Sequence, residues 1–504
     1  MKAFACSILI VLTAATAAFA QTPAWPAELD AYIEKARTDW EVPGLSVTVV
    51  RDGKLLVAKG YGVRTLGRPE RVDENTMFDI ASVSKSFTAA AIATLVDEGK
   101  MHWDDPVRRW LPQVEFSDPY RTANVTIRDL LCHRVGVEQG NFLFRFTGYT
   151  TDEVLRRMRY LKEKDAFRTT MIYSNVGYTA AGEAAAAAAG MPFTELLRTR
   201  LLEPLGMTAS TIGVPHTASP NHASPHGPVD GIQRPIDHTK ALNILPADAI
   251  NSTPLDIAKW MLFQLGDGTW NGKTLISKAS MTQMHEPQNI IATTPDMRAN
   301  RGVQFFAAYA LGWQVMDYRG HKLIWHSGSG DGMPVYMALL PDEHIGVMVM
   351  INTWNAPVLH GTIAAKIFDV LLGLPSTGGD TAAEAAAYRK RTAQADAERR
   401  ALDTPPAPIA KPSRPLDAYA GTYVDPLYGE MHVTLVNGAL VLQFARGERA
   451  DLKPWQYDTF RVAWRDRVYE DFDTFATFSL DAHGTPHRFD MQLNRDNVEA
   501  TRSQ

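Results

Sequence analysis

Apolar residues recur at helical spacing through Phe87, Ala90, Ala91, Leu95 and Val96, and Gly99 follows as a stop. The run opens at Ser82-Val83-Ser84-Lys85, so the pattern predicts an inward-packed helix that starts at Ser82. Upstream, Trp25 to Asp39 reads as an amphipathic helix. Leu45 to Val50 and Leu55 to Lys59 are β-rich runs joined by Arg51-Asp52-Gly53-Lys54, a hairpin signal. From Asp104 to about Met207 the pattern is mainly helical. Thr126 is placed as an N-cap with Asp129 three residues on, and six alanines run between Gly182 and Gly190. Strand character returns at Lys322 to His326, Val335 to Leu340 and Ile345 to Asn352, the last two joined by a turn at Pro341 to His344. A helix follows over about Leu359 to Leu372. Strands at both ends of a helical middle predict an α+β sandwich: one mixed antiparallel sheet flanked by helices, with an all-α insert.

Beyond residue 374 the texture changes. Ala382 to Leu402 is Ala-, Glu- and Arg-rich and helical, and the prolines of 405–408 and 412–415 read as a stiff spacer. Residues 416–504 then alternate. Val433, Leu435, Ala439, Val441 and Phe444 flank an Asn437-Gly438 turn, and Phe472, Phe475, Phe478 and Leu480 continue the β pattern, which predicts a small β-barrel. The expected division is a targeting segment (1–20), a main domain (21–374), a helical and Pro-rich linker (375–415) and the barrel (416–504). The barrel is expected to bear on substrate access or oligomerisation rather than on bond making. Residues 213–238 lack periodicity and read as a long loop whose His216, His222, His226 and His238 are solvated. No pair of them has helical ligand spacing and no thiolate is near, so no metal or other cofactor is expected.

Composition narrows the function. The 504 residues are 45% hydrophobic and 21% charged with a formal net charge of −5, an ordinary globular balance without a basic run to track nucleic acid. Lys2, the apolar stretch around Ile8 to Leu12 and Ala18-Phe19-Ala20 form a signal-peptide pattern, which predicts export to a periplasm or the medium with no stable membrane anchor after cleavage. Cys6 would leave with that segment. Cys132 would remain as the one cysteine, set in the apolar run Leu130-Leu131-Cys132, and is expected to be a buried, inert thiol.

Candidate chemistry begins at Ser82. Residues three apart on a helix share a face, so Lys85 can reach the Ser82 hydroxyl, and a lysine shielded from water can act as its base. No other lysine in the chain has a serine three positions before it. Tyr173-Ser174-Asn175 is the only Tyr-x-Asn, and His326-Ser327-Gly328 closes a predicted strand. Gly-x-Ser-x-Gly and His-Glu-x-x-His are both absent, which argues against an α/β-hydrolase and a zinc peptidase.

In this order the three motifs resemble those of the serine β-lactamase and penicillin-binding-protein superfamily. The chain looks most like the class C β-lactamase relatives over roughly residues 25–373, with a lipocalin-like barrel behind. The segments 125–136, 173–182, 202–208 and 309–331 share the likeness. The resemblance implies that Ser82 is the acylated nucleophile, that Lys85 keeps its proton mobile and that Tyr173 shuttles that proton. Asn175 would hold substrate amides and Lys85. His326 and Gly328 would line the substrate site, and the backbone N–H groups of Ser82 and Ser329 would form an oxyanion hole. His-x-Gly stands where class C β-lactamases usually carry Lys-Thr-Gly, and a neutral imidazole attracts a β-lactam carboxylate less than an ammonium does. The expected function is therefore an exported serine hydrolase acting on D-amino-acid-containing peptides, of DD-carboxypeptidase or D-aminopeptidase type. A β-lactamase-fold esterase or weak β-lactamase is the first alternative, and a non-catalytic sensor or scaffold the second. The expected partner is a peptide or other small-molecule substrate, and self-association into a homo-oligomer is left open.

Overall fold

The computed structural model describes residues 25–503 apart from 230, 238–241, 249, 295–304, 377–378, 402–404, 406, 409, 467–468, 470–473 and 494–495. The N-terminal segment with Cys6, and also His238 and Phe472, lie outside the described residues.

Helix α1 (Ala27–Asp39) leads into the hairpin β1 (Gly44–Arg51) and β2 (Lys54–Gly62). Helix α2 (Ser84–Asp97) follows, and α3 (Asn175–Ala189) is the long helix of the insert. The main sheet is completed by β3 (Asn289–Ile291), β4 (Ala307–Tyr309), β5 (Gln314–Tyr318), β6 (His321–Gly330), β7 (Met333–Leu340) and β8 (Ile345–Ile351). Its strand order is β3-β4-β5-β6-β7-β8-β1-β2, and each neighbouring pair is antiparallel. The late strands thus join the N-terminal hairpin through β8 and β1, with Val47 opposite Val349.

Both faces of this sheet are covered, which is why its central strands read as near-continuous apolar runs. Leu45, Val47, Val49, Val347, Val349 and Ile351 pack with Leu29 and Ile33 of α1 and with Leu359, Ile363 and Ile367 of α4 (Leu359–Leu372). Val335, Met337, Met348 and Met350 face the opposite core, which holds α2 and the helix Pro254–Leu265. α5 (Thr381–Ala401) lies along α1: Tyr388 rests on Trp40 at 5.4 Å, and Arg389 Nη1 donates to the Asp39 carbonyl at 3.0 Å. Behind it, eight strands from Gly421–Asp425 to Asp496–Arg502 close a barrel. The proline segment before the barrel is held against it, with Ser413 N donating to Asp458 at 3.0 Å and Arg414 Nη2 to the His483 carbonyl at 2.9 Å.

Four sequence expectations change. Ser82 is not the first residue of an α-helix: it sits in a single 3-10 turn, Ala81–Val83, and α2 starts at Ser84. His326-Ser327-Gly328 lies inside β6, which runs on to Gly330, because Gly328 still pairs with Val335 of β7. Segment 213–238 is not an open loop. It carries the turn His216–Ala218 and the hairpin His226–Val229/Ile232–Pro235. His216 and His226 are buried rather than solvated. The His226 ring explains its own burial, since Nε2 accepts from Leu66 N at 2.9 Å and Nδ1 donates to the Asn352 carbonyl at 2.7 Å. Finally, β3, β4 and β5 were not expected; they are short, and Ala307-Ala308 has little strand propensity. Cys132 is buried as expected, and burial pushes its thiol up to about 12.

Candidate active site

Helix α2 is buried on all sides from Ser84 to Leu95, so each of its polar side chains needs an internal partner. Ser86 Oγ donates to the Val83 carbonyl at 2.8 Å, and Thr88 Oγ1 to the Pro246 carbonyl at 2.6 Å. Gly182 of α3 lets the Pro246 segment come close: a β-carbon there would lie 2.3 Å from Pro246 Cβ. That approach brings the neighbouring Ala247 carbonyl to Lys85.

Lys85 is fully buried. Its Nζ lies 3.0 Å from Ser82 Oγ, 2.7 Å from Asn175 Oδ1 and 3.0 Å from the Ala247 carbonyl. Burial lowers its pKa from a lysine's ordinary 10.5 to about 7, against the opposing pull of the Asp248 carboxylate. The partners suit a neutral amine. Two of them are carbonyl-type oxygens that only accept, and they take the two N–H groups. In the neutral form the lone pair is then directed at the Ser82 hydroxyl, whereas the ammonium donates to it.

Tyr173 precedes α3, which Ser174 caps through its side chain, accepting from Gly177 N at 3.0 Å. The phenol interacts with Ser82, and Lys85 Nζ lies 4.8 Å from its ring centre. Burial raises the phenol's pKa well above its ordinary value, the nearby Ser82 hydroxyl lowering it only in part. It therefore carries its proton at neutral pH.

His326 closes the opposite wall but offers no free nitrogen. Nδ1 donates to the Ser327 carbonyl at 2.6 Å, and Nε2 meets the Tyr309 hydroxyl at 2.7 Å. Burial, helped by the charge on Lys85, lowers its pKa to about 3, so the ring is neutral at pH 7. Gly328 lets β6 lie directly on the Ser82 turn: a β-carbon there would stand 2.4 Å from the Ile80 carbonyl oxygen and 3.0 Å from Ala81 Cβ. The next residue, Ser329, is exposed beside that turn. Gly328→Ala is expected to push the strand away and lower the acylation rate by about 10²-fold or more, in line with loss of one oxyanion donor. Stopped-flow acylation by a p-nitrophenyl ester measures this; an unchanged rate removes Ser329 from the oxyanion site.

The structure brings Ser82, Lys85, Tyr173 and Asn175 together, and sets His326, Gly328 and Ser329 along one strand beside them. It adds groups that no motif announced. Tyr309 holds His326, and Ala247 contributes only a backbone oxygen, which leaves no trace in a side-chain pattern. Asn141 Oδ1 is 3.5 Å from Asn175 Nδ2, and Asn141 N donates to Asp496 of the barrel at 3.0 Å. The barrel also covers the loop after Asn141: Phe146 stacks on Trp464 at 4.9 Å and lies 5.4 Å from both Phe444 and Tyr469. Arg145 bonds Asp331, two residues beyond Ser329, at 3.2 Å.

Residues 29–372 match the family model described as Beta-lactamase. The chain belongs to the β-lactamase family. Behind this β-lactamase-family region, residues 405–502 match a domain of unknown function (DUF3471). Among curated relatives of this β-lactamase-family chain, Unguisins hydrolase ungD' of Aspergillus campestris is 28% identical over 422 residues, 78% of this chain and 75% of the relative. Protein flp of Staphylococcus aureus is 25% identical over 344 residues, 64% of this chain and 62% of that protein. The octameric penicillin-binding protein homologue from Pyrococcus abyssi shares the fold with a TM-score of 0.61 at 21% identity, covering 94% of this chain and 99% of its own. SurE shares the fold with a TM-score of 0.57 at 20% identity, covering 94% of this chain and 98% of its own.

Proposed function

We propose that the chain is an exported serine hydrolase that works through an acyl-enzyme on Ser82, most naturally a peptidase or amidase for D-amino-acid-containing peptides. The observation that carries the reading is the Lys85 amine, buried, with a pKa near 7 and 3.0 Å from Ser82 Oγ. In this reading Lys85 takes the Ser82 proton as Oγ bonds to the substrate carbonyl carbon. The N–H groups of Ser82 and Ser329 receive the oxyanion. Tyr173 then gives its proton to the leaving amine as the C–N bond breaks, and the Lys85 ammonium restores it. Water enters by the same route in reverse to free the acyl group.

The neutral state of His326 sharpens the substrate class. With both ring nitrogens engaged, it offers no positive charge to a substrate carboxylate, which supports an amide- or amine-end peptidase over a carboxypeptidase or an efficient β-lactamase. The relative named a hydrolase of unguisins supports hydrolysis, and the octameric homologue supports testing for self-association. A panel of D-amino-acid amides, D-Ala-D-Ala peptides, nitrocefin-type β-lactams and p-nitrophenyl esters decides the class. D-amino-acid amides are expected to turn over fastest. No turnover in the panel, together with no fluorophosphonate adduct, would favour the sensor or scaffold instead.

Tyr173→Phe should slow amide turnover by about 10²–10³-fold with little change in substrate binding. A p-nitrophenyl ester should be affected less, because its leaving group departs without a proton. Equal slowing of amide and ester removes the phenol from leaving-group protonation.

A further inference from the structure

His133 is gathered around Tyr173 in three ways. Its backbone carbonyl accepts from Ile172 N at 2.9 Å, and its Nδ1 accepts from Ser174 N at 3.0 Å, so the two residues flanking Tyr173 are both held by this one residue. Its ring lies on the Tyr173 ring with centres 4.4 Å apart. The imidazole edge also meets the ring of Tyr309 at 4.5 Å and 74°, and Tyr309 bonds His326. His133 is 1% exposed and stands at φ 59°, a left-handed backbone that residues other than glycine seldom adopt. The Ser174 hydrogen bond fixes its tautomer, leaving the proton on Nε2. Burial keeps the ring uncharged.

We propose that His133 is a positioning residue that holds the Tyr173 phenol against Ser82 by gripping the backbone on both sides of it and packing on its ring. The proposal rests on the reading of Tyr173 as the proton-transfer group. His133 touches neither substrate nor Ser82 in this scheme; it acts through Tyr173 alone. Misplacing a reacting group by about 1 Å lowers rates by about 10²-fold, and a residue that acts through one partner loses its effect once that partner is gone.

The test is a double-mutant cycle on the full chain with a D-amino-acid amide. His133→Phe keeps a ring and loses the acceptor, and is expected to lower kcat by about 10²-fold with KM within about twofold. His133→Asn keeps an acceptor near Nδ1, tolerates the left-handed backbone and loses the ring, and is expected to lose about tenfold. In the Tyr173→Phe background either substitution should change kcat by less than about twofold. If His133→Phe does not fold, the cycle with His133→Asn answers alone. Losses that add in the Tyr173→Phe background, or a His133→Asn variant with parental kcat, overturn the proposal. If Tyr173→Phe itself keeps parental turnover, the reading of Tyr173 fails first, and the single variants show it separately.

Discussion

Ser82→Ala is expected to abolish the fluorophosphonate adduct and to lower turnover of every substrate by about 10⁶-fold. The side chain is half-buried and its oxygen meets the Lys85 amine and the Tyr173 phenol, so the fold does not depend on it. The Ala247 and Asn175 oxygens still hold the amine in place. What disappears is the atom that forms the bond in the proposed mechanism. Some acceleration over water should remain from the backbone donors and from binding. Intact-protein mass spectrometry after labelling, with thermal melting to show retained structure, checks the result. A Ser82→Ala protein that still carries the adduct, or turns over within tenfold of the parent, rules out the acyl-enzyme on this residue.

Lys85→Met is expected to lower turnover by about 10⁴-fold while making the protein more stable at neutral pH. The rate follows from losing the proposed base. In the parent, acylation should rise with pH up to about 7 and then level off, because the active form is the unprotonated amine. The stability effect has a definite sign. The unfolded chain holds the lysine proton up to about 10.5, the folded chain only to about 7. Below pH 7 both forms are protonated and the full penalty of a buried ammonium is present. Between 7 and 10.5 the unfolded state binds more protons, so this residue's contribution improves as pH rises. The gap corresponds to on the order of 5 kcal/mol at most. The Asn175 and Ala247 oxygens lose a donor in the variant, which offsets about 1–3 kcal/mol. Chemical denaturation should therefore show Lys85→Met ahead by up to about 2–4 kcal/mol at pH 6, with the advantage gone by pH 10. A parent and variant whose stabilities run parallel over that range would mean that the amine is charged in the fold.

Both effects could be framed from the sequence because the key spacing is local. Ser82 and Lys85 share one turn, and the strands β1, β2, β7 and β8 carry apolar runs, so a mixed antiparallel sheet was legible, while its strand order and the short strands β3, β4 and β5 were not. The barrel was legible from alternation and the Asn437-Gly438 turn, which joins Gly429–Val436 to Ala439–Phe444. The capping box at Thr126 and Asp129 is present as its spacing implied. Other features depend on contacts between distant segments. The 3-10 turn at Ser82 is set by the bond from Ile80 N to Ile250 O and by Asp79 accepting from Ala81 N. His226 looked like a loop residue because its partners, Leu66 and Asn352, are remote in the chain. His133 sits in a stretch that matched the family, yet its grip on Tyr173 needs two chain segments and an unusual backbone angle.

The seam between Phe146 and Trp464, and between Asn141 and Asp496, has a consequence for biogenesis. One wall of the cleft is closed by side chains made long after Ser82 and Lys85. A nascent chain carries its Ser82 and Lys85 long before that wall exists, so the cleft stays unfinished until the barrel strands have been made and have closed. Premature stop codons late in the message would then remove the wall while leaving every motif residue intact.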